Sequence, residues 1–95
     1  MEGHITSVGF EDNVRRSLRY EHGFDHKDLE RVKGLFDASL EHVGSNHLTV
    51  GNYEKAKKFM REHEAGKHFS DHQWERVDAA FKKHLGIKEE EAEMA

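Results

Sequence analysis

One short pattern occurs four times in this chain and limits its fold more than any other feature. An apolar residue is followed by a capping residue, three spacers and a second apolar residue. The four instances are Ile5-Thr6-Ser7-Val8-Gly9-Phe10, Phe24-Asp25-His26-Lys27-Asp28-Leu29, Leu48-Thr49-Val50-Gly51-Asn52-Tyr53 and Phe69-Ser70-Asp71-His72-Gln73-Trp74. This is the hydrophobic staple of a helix start. The residue before the N-cap packs on the fourth helical residue, and the cap oxygen accepts from an amide that the helix leaves unpaired. Ser70 with Gln73 also makes a capping box. Each cap contributes about 1 kcal/mol. With no proline anywhere in the chain, four such starts predict an all-α protein.

Apolar residues continue from each start in steps of three and four, which puts one buried stripe on each helix. The stripes read Phe10, Val14, Leu18; then Leu29, Val32, Phe36, Leu40, Val43; then Tyr53, Ala56, Met60 with Phe59 alongside; then Trp74, Val77, Phe81, Leu85. Gly23, Gly44, Gly66 and Gly86 follow the stripes, where a left-handed C-terminal residue is expected. The spacing predicts helices over 6–21, 25–42, 49–63 and 70–85, packed as a compact four-helix domain over residues 1–87. Residues 88–95, Lys88-Glu89-Glu90-Glu91-Ala92-Glu93-Met94-Ala95, read as a solvated acidic tail. In 95 residues there is room for one modest core and none for a large enclosed substrate cavity.

The starts also pair up. His4-Ile5-Thr6 with Phe10-Glu11 recurs 43 positions later as His47-Leu48-Thr49 with Tyr53-Glu54. Phe24, Leu29-Glu30-Arg31-Val32 and Phe36 recur 45 positions later as Phe69, Trp74-Glu75-Arg76-Val77 and Phe81. The expectation is two copies of a helix–loop–helix, residues 4–43 and 47–86, with Glu30–Arg76 and Glu75–Arg31 as candidate ion pairs between them.

Composition removes several functions. Without cysteine there are no disulfides, zinc–thiolate sites, iron–sulfur clusters or cysteine nucleophiles. No apolar run approaches the roughly 20 residues of a membrane helix. Met1-Glu2-Gly3-His4 has no basic segment leading into an apolar stretch, so a cytoplasmic location is expected. A formal charge of −4 argues against a general nucleic-acid binder. The serines Ser7, Ser17, Ser39, Ser45 and Ser70 lie in no nucleophile-elbow context, and no phosphate-cradling glycine loop is present. The expectation is therefore a non-enzyme.

The face formed by Leu29, Val32 and Phe36, followed by Leu48-Thr49 and then Tyr53, Ala56 and Met60, resembles an EF-hand helix–loop–helix. Phe69-Ser70 with Trp74, Val77 and Phe81 would begin another unit, so the resemblance covers roughly residues 24–81. It implies a loop whose eighth position is Leu48. Counted from there, Val43 stands where an oxygen ligand belongs, Asn46 replaces the central glycine and Asn52 replaces the closing glutamate. Calcium needs those oxygens and is not expected to bind. What the resemblance leaves is a scaffold that meets another protein through an apolar groove.

Nine histidines are the other unusual feature. His22 and His26 straddle the first interhelical loop, and His68 and His72 straddle the third. Imidazoles gathered there are a candidate site for Zn²⁺ or a similar ion, with Asp25, Asp28, Glu64 and Asp71 as carboxylate donors. His42, His47, His63 and His84 read as surface residues beside the stripes. Protonating all nine would carry the formal charge from −4 to +5, centred near a histidine pKa of about 6.5. The basic faces Arg15, Arg16, Arg19 and Lys55, Lys57, Lys58, Arg61 read as solvated helix faces, with phosphate or nucleic-acid contact as the functional alternative. The sequence thus points first to a small regulatory, accessory or inhibitor-type helical protein, monomeric or homodimeric, without a cofactor, that binds another protein. A histidine-based metal module and a phosphate binder are the alternatives. Millimolar Ca²⁺ is expected to leave the melting temperature unchanged. A rise of several degrees that Mg²⁺ does not reproduce would show that the 41–52 loop is a working calcium loop.

Overall fold

A computed structural model of the chain describes residues 4–86; the acidic stretch 88–95 lies outside the described residues. The protein is all-α with four helices and a two-stranded scrap of sheet. In order, β1 (His4–Ile5) leads into α1, a continuous helix over 7–20 made of α-helical Ser7–Gly9, a π-helical stretch Phe10–Val14 and α-helical Arg15–Tyr20. Helix α2 (His26–Val43), β2 (Leu48–Thr49), α3 (Val50–Glu62), a 3₁₀ turn (Ala65–His68) and α4 (Asp71–Leu85) follow. No helix among the described residues is long and apolar enough to cross a membrane.

All four expected caps act as caps. Thr6, Asp25, Thr49 and Ser70 each accept from the backbone amide three residues on. The Ser70–Gln73 capping box forms as expected. A second box, unforeseen, joins Thr49 to Asn52, whose Oδ1 accepts from the Thr49 amide at 2.7 Å. Asn52 is therefore committed to starting α3. The staple is visible where Phe69 meets Trp74 edge to face at 5.7 Å, and the other three staple pairs are buried.

The stripes form the core. Phe10, Val14, Leu18, Leu29, Val32, Phe36, Leu48, Ala56 and Phe81 are fully buried, with Leu35, Tyr53, Met60, Trp74, Val77, Ala80 and Leu85 close behind. Each helix places one ring at the centre. Phe10 stacks on Phe36 at 4.8 Å, Phe36 on Phe81 at 5.9 Å, and Tyr53 lies 6.0 Å from Phe81. The Tyr53 hydroxyl donates to Asp78, which Lys57 and Lys82 flank at 3.5 and 3.2 Å. The π-helical stretch lies within the α1 stripe. Residues 10, 14 and 18 recur strictly every four, which in an α-helix of 3.6 residues per turn drifts about 40° per step. Here the Arg15 amide reaches back to the Phe10 carbonyl, a wider turn, and all three residues are fully buried.

Positions that repeat in the sequence meet in space. β1 and β2 pair antiparallel with Ile5 opposite Leu48 and His4 opposite Thr49. The rings of His4 and His47, Phe24 and Phe69, and Phe36 and Phe81 lie 5.6, 5.9 and 5.9 Å apart. The expected cross-repeat ion pairs do not form. Glu30 takes Arg15 at 2.8 Å, and Arg76 donates to the His22 carbonyl at 3.1 Å.

Gly44 ends α2 as expected, left-handed, in a Schellman turn closed by the Ser45 amide on the Leu40 carbonyl at 3.0 Å. Gly66 departs from expectation. It is buried in the 3₁₀ turn, φ is not positive, and α3 ends instead at His63 in extended geometry. A Cβ at position 66 would run into the Met60 carbonyl, so glycine is there for close approach. Its own carbonyl accepts from Trp74 Nε1 at 2.9 Å. That carbonyl also takes the Phe69 amide at 3.2 Å, so Trp74→Phe removes one of its two donors and leaves space where the larger ring stood, and should cost about 1–3 kcal/mol. Gly66→Ala should cost about 1–3 kcal/mol through overpacking. Chemical denaturation of both variants measures this, and wild-type midpoints would mean that the turn is not locked as described.

Candidate functional site

The four histidines expected to hold a metal lie at one end of the molecule. Their loops are joined by the Phe24–Phe69 contact and by Arg76 of α4 reaching the His22 carbonyl. The imidazoles themselves do not converge. His26 Nδ1 lies 3.4 Å from an Arg15 guanidinium nitrogen, and His72 Nε2 lies 3.0 Å from Arg76. His68 faces Asp28 at 3.9 Å and sets its ring against Phe69. Arginines beside two of the rings oppose an added cation. Among the described residues, no group of three or more His, Cys, Asp or Glu side chains is placed to hold a metal ion.

The basic faces are partly consumed. Arg15 pairs with Glu30 and Glu11, Lys57 with Glu54 and Asp78, and Arg61 with Asp71 while covering the Trp74 ring. Arg16, Arg19, Lys55 and Lys58 have no ion pair among the described residues.

A more coherent surface lies where the end of α1 meets the last turn of α4. Asp12, Asn13, Arg16, Ser17, Tyr20, Glu21, Lys83 and His84 line a shallow depression of about 240 Å³. The stripe turns Leu18 into the core, so Tyr20, two positions on, points about 200° away. It is 73% exposed, and the Arg19 guanidinium lies over its ring at 5.6 Å. Behind it Glu21 is fixed at both oxygens, by Ser17 Oγ at 2.9 Å and Lys83 Nζ at 2.8 Å. These two hydrogen bonds, that of Lys83 first, hold the Glu21 carboxyl below its usual pKa. Beside it, burial lowers the pKa of His84, helped by the positive Lys83 and opposed by Glu21. Its Nε2 is buried without a hydrogen-bond partner among the described residues. Burial likewise lowers His22, against the attraction of Glu21. Sequence reasoning passed over Tyr20 because it lies off the stripe. That displacement was the available signal, since an aromatic ring on the polar face of a helix has no core to fill.

The arrangement offers an aromatic and guanidinium surface with fixed charge around it. Of the chain's serines, Ser17 Oγ donates to the Glu21 carboxylate at 2.9 Å, and Ser39, fully buried, donates to the Phe36 carbonyl at 2.7 Å. Comparison with protein-family models, with curated proteins and with solved structures finds no match for this chain.

The two lowered histidines set a pH dependence. Between their folded pKa values and about 6.5 the unfolded chain binds more protons than the folded one, so stability falls as pH drops through that window. Glu21 acts at more acidic pH, where its contribution is lost as pH falls through its lowered pKa. The melting temperature should be lower at pH 5.5 than at pH 7.5, and His84→Gln should shrink the difference. An unchanged difference in that variant would place the titration elsewhere.

Proposed function

We propose that this chain is a small, non-enzymatic, cytoplasmic helical protein that binds another protein through the surface around Tyr20. The observation that carries the reading is Tyr20 itself: 73% exposed, with Arg19 over its ring and a charged depression beside it. Tyrosine and arginine are enriched in binding hot spots, tyrosine because it gives a large, rigid contact area at low entropic cost. An exposed tyrosine on a fully packed domain contributes nothing to the core, so its use lies outward. We also read the chain as two copies of one helix–loop–helix, of degenerate EF-hand type. The pairing of β1 with β2 and the contacts between repeated positions support that reading.

Tyr20→Ala should leave stability within about 0.5 kcal/mol of wild type. Tagged wild-type protein should retain a specific partner from its native source, and Tyr20→Ala should bind the purified partner at least tenfold more weakly by calorimetry. Equal affinity in wild type and variant, with both folded, would remove this surface from the function.

A further inference from the structure

The repeated His-apolar-Thr motif brings together two imidazoles that the metal expectation above left out. Ile5 and Leu48 face each other in the β1–β2 ribbon and are buried, 3% and 0% exposed. Because side chains alternate along a strand, His4 and the residues flanking Leu48, Thr49 and His47, fall on the outer face. His4 is opposite Thr49, which makes His47 its diagonal neighbour. The two rings meet there, centroids 5.6 Å apart and nearly perpendicular. Together with Thr6, Ser7, Val8 and Asn46 they line an open depression of about 600 Å³.

His47 is held for the purpose. Its carbonyl accepts from Ser45 Oγ at 3.0 Å and from Asn52 Nδ2 at 3.3 Å, and its amide reaches Ser45 Oγ at 3.4 Å. Its ring Nδ1 lies 2.7 Å from Asn46 Oδ1. An amide oxygen only accepts, so Nδ1 carries the proton and Nε2 of the neutral ring keeps its lone pair. An outer-shell acceptor that fixes the tautomer in this way accompanies most metal-bound histidines. Two imidazoles on one tetrahedral ion, with metal–nitrogen bonds of about 2.0–2.1 Å, have ring centres roughly 5 Å apart. The observed separation is close to that value, and rotation about the soft Cβ–Cγ bond re-aims the ring nitrogens while leaving the ring centres nearly in place. Among the described residues, the cations that stand beside His26 and His72 have no counterpart here: the ring contacts of His4 and His47 are to each other and, for His47, to Asn46.

We propose that His4 and His47 form a two-imidazole site for a divalent transition-metal ion of the Zn²⁺ or Cu²⁺ class, one per chain, completed by water. Calorimetric titration of the full chain with Zn²⁺ at neutral pH tests it. The expected result is saturable binding of one ion per chain, weakened at least tenfold by His4→Ala and by His47→Ala. It should persist when His22, His26, His68 and His72 are replaced together by alanine. His4→Gln and His47→Gln, which keep a polar side chain on the ribbon, should give the same loss with wild-type melting in the absence of metal. The absence of saturable binding, or binding that the four single variants leave unchanged, would overturn the proposal and leave the two rings as an edge-to-face contact only.

Discussion

The structure depends on one cluster of four aromatic rings. Phe10, Phe36, Tyr53 and Phe81 come from α1, α2, α3 and α4 in turn, and their centroids lie 4.8 to 6.0 Å apart along the chain of contacts. That spacing is the favourable range for offset and tilted aromatic pairs. One ring per helix means that no helix can leave without breaking the cluster, so helices too short to be stable alone become cooperative. It also fixes helix rotation. Tyr53 joins the cluster with its hydroxyl donating a hydrogen bond to Asp78, which two lysines flank. A polar group in a dry core would otherwise carry a large desolvation cost.

From that centre the molecule extends to two ends, each closed by a pair of repeated residues. At one end Ile5 faces Leu48; at the other Phe24 faces Phe69. The polar outer faces then diverge. At the Phe24–Phe69 end, Arg76 and Arg15 sit beside histidines. At the ribbon end, the rings of His4 and His47 meet, with no cation beside them among the described residues. The same residue type therefore has different chemistry at the two ends, decided by which charged side chain the neighbouring helix supplies.

Helix starts were legible in the sequence because capping and stapling are local: Thr6, Asp25, Thr49 and Ser70 needed no knowledge of the fold. The stripes were legible because periodicity reports burial directly. What escaped turned on which partner a residue takes once the chain has folded. Gly66 looked like a helix end and is instead a close-approach position, which only the Met60 carbonyl and the Trp74 indole reveal. Asn52 looked like a lost calcium ligand, and its amide closes the capping box with Thr49. The histidines were chosen by spacing across loops, while the pair that meets lies 43 positions apart and was visible only as a repeated motif.

Composition alone also treats the nine histidines as one population that charges together. Burial separates two of them. His22 and His84 resist protonation, and both lie within reach of the Glu21–Lys83 pair that joins α1 to α4. Their charging is thereby coupled to the packing around this contact, since burial is the main cause that lowers both. Acidification thus acts on the fold through this contact before the Glu21 carboxylate itself is neutralised, because the ordinary imidazole range lies above that of a carboxylate whose pKa is already lowered. The surface around Tyr20 sits on the same contact. Its shape therefore depends on the packing of α4 against α1, and not on α1 alone.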